Sequence, residues 1–154
     1  MAGRFHKNRI HRKNTVSPIR LVLIREMKLL RSHYPFLDCE ITSDKLICIG
    51  KTKPSEQSIE YIFKIVYDGV TVPKVYIISP HVEYNDDIHM YPSENNLCLY
   101  HPIVDNFIWN FQKDHIYETI LPWTLEWFVY YELYLITGKW EHPFVPHATS
   151  KSID

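Results

Sequence analysis

From Leu37 to Ser79 apolar and polar side chains alternate, and the gaps between the alternating runs are short. Leu37, Cys39 and Ile41 interleave with Asp38, Glu40 and Thr42, and Ser43-Asp44 then turns the chain into Lys45–Gly50. After a loop over Lys53–Ser58, the residues Ile59, Tyr61, Phe63, Ile65 and Tyr67 alternate again. Asp68-Gly69 is a turn signal, and Pro73–Ser79 reads as a short apolar strand. A parallel crossover needs about a dozen residues or more, so four strands joined this closely predict an antiparallel meander.

Helical periodicity flanks the meander. Ser17-Pro18 offers an N-cap followed by proline at the first helical position. Ile19, Val22, Leu23, Met27, Leu30 and Tyr34 then recur on one face, with Arg20, Arg25, Lys28 and Arg31 opposite, up to the stop at Pro35. A second helix is expected over Pro122–Gly138, apolar almost all round and therefore largely buried, with Gly138 as a left-handed C-cap. Residues 80–96 carry Pro80, Pro92, His81, His89 and Asn95-Asn96 and are expected to form an irregular, ordered segment. The fold class is α+β: N-terminal helix, four-stranded antiparallel meander, loop, C-terminal helix.

At 154 residues the chain has the length of one domain, and 45% hydrophobic against 23% charged residues suits a folded one. The expected division is a basic flexible lead over 1–16, a domain over 17–147 and a frayed tail over 148–154. No apolar run approaches the roughly 20 residues of a membrane span, and no secretory start is recognised. Cys39, Cys48 and Cys98 are odd in number and form no CxxC pair. Reduced thiols and a cytoplasmic location are expected.

The net charge of −1 conceals an asymmetry. Residues 1–31 hold nine Lys or Arg against the single acid Glu26, leaving eight basic and seventeen acidic side chains for the rest. Such a basic end points to an acidic partner or simply to a solvated helix face. With no aromatic residue in the lead beyond Phe5, a base-stacking surface is poorly supported, and no nucleic-acid partner is expected.

Cys98 stands out among titratable residues because it follows the long irregular segment and lies beside the expected sheet. A nucleophilic cysteine needs access for a large partner and donors for an oxyanion, and Asn95, Asn96 and the loop amides are nearby. Against this, free cysteine is a strongly buried residue type, and Leu97 and Leu99 flank it. Cys39 and Cys48 read as core residues of strands. His81, His89, Cys98 and His101 lack the spacing of a zinc site, so no metal is expected. Phosphate-binding and common hydrolase motifs are missing, and no cofactor is expected. Trp123 and Trp127 fall at helical spacing and read as core rather than as a ligand box.

The order helix, meander, irregular segment, cysteine, helix resembles the ubiquitin-conjugating-enzyme fold, and Leu97-Cys98-Leu99 resembles its thioester-bearing segment. A longer series is similar to the prokaryotic branch found in operons for cyclic-oligonucleotide-based anti-phage signalling (CBASS). It comprises His89-Met90-Tyr91, Leu97-Cys98-Leu99-Tyr100-His101-Pro102, Trp109, Thr119-Ile120-Leu121-Pro122-Trp123-Thr124-Leu125-Glu126-Trp127, Tyr131-Glu132 and Thr137-Gly138-Lys139-Trp140. The resemblance spans roughly residues 17–147.

The resemblance implies transthiolation. Cys98 would take an activated C-terminal carboxylate as a thioester and pass it to an amine, because a thiolate is both nucleophile and leaving group. The implied cargo is the C-terminus of a cyclic-oligonucleotide synthase, a CD-NTase related to the animal DNA sensor, with a possible activating enzyme acting in trans. The chain is expected to be the stand-alone form, since its length leaves no room for an adenylating domain. Eukaryotic relatives carry His-Pro-Asn before the cysteine, whereas here Met90-Tyr91 follow His89. His89 is then the candidate for oxyanion stabilisation or loop bracing, with Tyr91, Asn95 and Asn96 behind it. Arg20, Lys28 and Arg31 are the implied protein-docking residues. A catalytically silent scaffold that binds the synthase is the alternative.

Overall fold

Ser17 opens the first helix as expected: its hydroxyl accepts from the Arg20 N–H at 3.2 Å, and α1 runs Pro18–His33. The computed structural model describes residues 16–141; the expected lead, apart from Val16, and the C-terminal tail lie outside the described residues. Leu23 and Leu30 of α1 are fully buried, while Ile19 at the start of the same apolar stripe is exposed. Glu26, read from sequence only as the lone acid of a basic segment, is buried between them.

Four antiparallel strands follow in chain order: β1 (Asp38–Thr42), β2 (Lys45–Thr52), β3 (Tyr61–Tyr67) and β4 (Lys74–Ser79). The meander read from the alternation is therefore the sheet observed. Ser43 and Asp44 both adopt positive φ, 49° and 58°, in a two-residue turn whose twist suits a tight hairpin. The inner face carries Leu46, Cys48, Phe63, Ile65, Tyr67 and Val75, all buried. Gly50 belongs to this face because a Cβ there would lie 2.7 Å from Leu37 Cδ2 and closer still to the edge of the Phe63 ring. Only a residue without a side chain allows that approach.

Residues 80–96 are not wholly irregular. After a cis Ser79–Pro80 peptide, Met90–Tyr91 (β5) and Asn96–Leu97 (β6) pair as a small antiparallel hairpin. Asn95 sits at its turn with φ 57° and donates its N–H to the Tyr91 carbonyl at 2.9 Å.

A single 3-10 turn, Ile116–Glu118, leads into α2 (Ile120–Thr137). The helix begins two residues before Pro122, which its first turn tolerates because the N–H groups there have no helical acceptor. Gly138 closes it with φ 74°, its N–H donating to the Tyr134 carbonyl at 2.8 Å. Phe128 packs against Tyr61 and Phe63, with ring centroids 4.8 and 6.0 Å away.

Burial of α2 is narrower than its composition suggests. Ile120, Leu121, Thr124, Trp127 and Phe128 are buried, but Leu135 and Ile136 are 59% and 82% exposed. Tyr131 still meets Tyr61 of β3 edge-on at 6.1 Å, and Tyr134 lies near Trp140, so the second half keeps one covered side.

Candidate functional site around Cys98

Cys98 directly follows β6, and its main chain is held by a carbonyl that is itself braced from α2. Its N–H donates to the His89 carbonyl at 3.1 Å, and the Trp127 indole N–H donates to that same carbonyl at 2.9 Å. Hairpin and α2 thus meet at a shared acceptor beside the thiol. The Cys98 Sγ–H points to the Tyr100 carbonyl at 3.5 Å, and the Tyr91 phenol hydrogen-bonds the sulfur. Burial pushes the thiol's pKa up, and the Asp105 carboxylate adds to the rise, while Tyr91 and the Tyr100 main chain oppose it. Cys98 as a whole is 1% exposed.

A cavity of about 290 Å³ opens beside the thiol. His89, Cys98, Asp105, Phe107, Trp123 and Trp127 are among the residues that line it. Tyr100, Phe107 and Trp123 form an aromatic wall, Phe107 standing edge-on to Tyr100 at 4.8 Å and to Trp123 at 5.2 Å. Both tryptophans pack with the core, as read, and both line the cavity, but their tasks differ: Trp127 is buried and braces the hairpin, whereas Trp123 belongs to the aromatic wall.

The remaining candidates divide among different tasks. His89, itself buried, lines the cavity next to Cys98. Tyr91 and Asn96 line a second cavity of about 250 Å³, so Tyr91 reaches the sulfur from that side. Burial raises the Tyr91 phenol's pKa as well. The Asn95 side chain is occupied elsewhere: its Oδ1 accepts from the Tyr84 N–H at 2.7 Å and its Nδ2 donates to the Val82 carbonyl at 3.0 Å. It holds the hairpin turn to the 82–84 segment.

The family model for type II CBASS E2 proteins matches residues 26–148, which include every residue of this constellation. The chain belongs to the type II CBASS E2 family. Membership makes it an E2-like protein of anti-phage defence that associates with proteins of a CBASS operon. No curated protein shows significant sequence similarity to it. No helix among the described residues is long and apolar enough to cross a membrane.

Against the E2-like frame, α1 carries the implied docking residues on its outer side, but they are not equivalent. Arg20, Lys28 and Arg31 are all exposed, and the Arg31 guanidinium also donates to the Cys39 carbonyl at 2.8 Å, tying α1 to β1. Arg25, on the same face, donates to the Phe111 carbonyl at 2.8 Å. Among the acids near the site, Asp105 lines the Cys98 cavity and accepts from the His101 N–H at 2.6 Å. Glu94 is paired with Lys74 at 2.7 Å, and Asp86 accepts from the Tyr84 hydroxyl at 2.8 Å. His81 pairs with Glu83 at the surface, and among the described residues no three His, Cys, Asp or Glu gather as a metal site.

Sequence reading missed Trp127 as the brace of the His89 carbonyl and Phe107 as part of the cavity wall.

Proposed function

We propose that Cys98 carries the C-terminal carboxylate of a CBASS cyclic-oligonucleotide synthase as a thioester and transfers it to an amine. The observation that carries this reading is the pairing of one main-chain-anchored thiol with a cavity lined by His89 and aromatic side chains. In the loading step the Cys98 thiolate attacks the activated carbonyl carbon, and the activating group leaves with the electron pair. In the transfer step an amine attacks the thioester, loses its proton, and the Cys98 thiolate departs. Either tetrahedral intermediate carries an oxyanion, for which His89 and the Tyr91 hydroxyl are the side-chain donors proposed. The partner-docking role belongs to Arg20, Lys28 and Arg31, and the carboxylate is activated in trans by a separate enzyme of the adenylating class.

Tagged protein purified with its operon partners, analysed by intact mass with and without reductant, tests the reading. A thiol-labile adduct on Cys98, matching the synthase in mass, is expected. Cys98→Ser should convert it to a reductant-stable ester. A second reading, a silent scaffold, draws on the 1% exposure of Cys98. No adduct on wild-type protein, with intact synthase co-purifying and Cys98→Ala still protecting cells from phage, establishes the scaffold instead.

A further inference from the structure

Cys39 and Cys48 are directly opposite each other on β1 and β2. Counting from the two-residue turn, whose flanking pair Thr42–Lys45 is the hydrogen-bonded kind, makes Cys39–Cys48 a non-hydrogen-bonded pair. Such pairs bring Cα atoms to about 4.5 Å, within the roughly 4.4–6.8 Å that a disulfide spans. Both side chains point to the inner face, and their thiols hydrogen-bond to each other. We propose that Cys39 and Cys48 are a redox pair that closes to a cross-strand disulfide when the protein meets a hydroperoxide.

The surroundings polarise the two sulfurs unequally. The Cys48 thiol bonded to Cys39 lowers the Cys39 pKa, and the Arg31 guanidinium, anchored on the Cys39 carbonyl, assists. Cys48 is pushed up by the same hydrogen bond and by burial. Cys39, on the outermost strand and beside the anchored Arg31 guanidinium, is the sulfur that reacts first. β1 is an edge strand, so its local opening exposes Cys39 without unfolding the sheet. Hydrogen peroxide oxidises the Cys39 thiol to a sulfenic acid and releases one water. The Cys48 sulfur then attacks the sulfenic sulfur, the S–O bond breaks, and the hydroxyl leaves with the Cys48 proton as a second water. The two thiols together supply the two electrons that cleave the peroxide bond. The product staples the sheet edge beneath the helix that carries Arg20 and Lys28.

Full-length Cys98→Ser protein, which retains only these two cysteines, isolates the reaction from any chemistry at Cys98. Folded protein treated with hydrogen peroxide should lose about 2 Da, and dithiothreitol should restore it. Peptide mapping should join Cys39 to Cys48, and the β1 amides should exchange more slowly in the oxidised form. Adding Cys48→Ala should stop the loss and leave a dimedone-reactive sulfenic acid on Cys39, with circular dichroism confirming the fold. Formation of the bridge only in urea, or peroxide adding oxygen to both sulfurs without joining them, overturns the proposal.

Discussion

The Trp127 indole N–H and the His89 carbonyl meet at 2.9 Å, thirty-eight residues apart in sequence, and the Cys98 N–H shares the acceptor. Trp127→Phe keeps an aromatic body in the core but removes the donor. It should cost about 1 kcal/mol of stability, the net value of one hydrogen bond. Trp127→Ala also opens a cavity and should cost roughly 3–5 kcal/mol. Urea denaturation of both variants checks the order; a Trp127→Phe protein as stable as wild type would show that the indole N–H contributes nothing.

Tyr91→Phe tests the phenol on the sulfur. That hydrogen bond opposes the upward push of burial on the Cys98 pKa, so its loss should raise the pKa further. At fixed pH less thiolate is present, and iodoacetamide should label Cys98 several-fold more slowly, as read by peptide mass. In wild-type protein the labelling rate should climb with pH beyond the ordinary thiol range near 8.5. A Tyr91→Phe rate equal to or above wild type would remove Tyr91 from the site.

Glu26 is a buried joint between distant parts of the chain. Its carboxylate accepts from the Ile116 N–H at 3.1 Å and bonds His115 Nδ1 at 3.0 Å, linking α1 to the 3-10 turn before α2. Glu26→Ala leaves that buried N–H without its acceptor and should destabilise by roughly 1–3 kcal/mol. Glu26→Gln retains an acceptor and should lose less. Urea midpoints at neutral pH decide between them, and a Gln variant as damaged as Ala would assign the effect to charge.

Alkaline pH should weaken the fold. Burial raises the pKa of Tyr61, Tyr91 and Cys98, pushes Tyr67 up to about 12, and helps to raise Cys48. For these acids the folded state keeps its protons while the unfolded chain releases them, near about 8.5 for thiols and 10 for phenols. The unfolded state then binds fewer protons, so stability falls as pH rises through this range; Cys39, pulled down, opposes it only in part. Melting temperatures across pH 8–11 should decline throughout, and a flat profile would contradict the burial of these groups.

The parts of the fold that were legible in sequence are those set by local rules. Ser17-Pro18 marked the start of α1, the period of two marked the sheet, and Gly138 marked the end of α2. What escaped depends on partners far along the chain. Nothing near Glu26 announces donors at His115 and Ile116, so a buried acid read only as the lone acid of a basic segment. The apolar stretch of α2 suggested burial all round, but which of its sides meets the rest of the fold is a tertiary property that composition does not contain. Around Cys98 the motif series located the thiol. The division of work between Trp123 and Trp127, or between Asn95 and Tyr91, is set by hydrogen-bond geometry in three dimensions.

The order of the sheet has a kinetic consequence. Each strand pairs with its sequence neighbour, so these contacts close short loops and cost little chain entropy to form. The bonds that complete the thiol's surroundings, Trp127 to His89 and Glu26 to Ile116, close far longer ones. A nascent chain with its meander formed but α2 undocked has a cysteine and no cavity, leaving Cys98 open to indiscriminate alkylation and oxidation. The molecule acquires chemical selectivity with its last long-range closure.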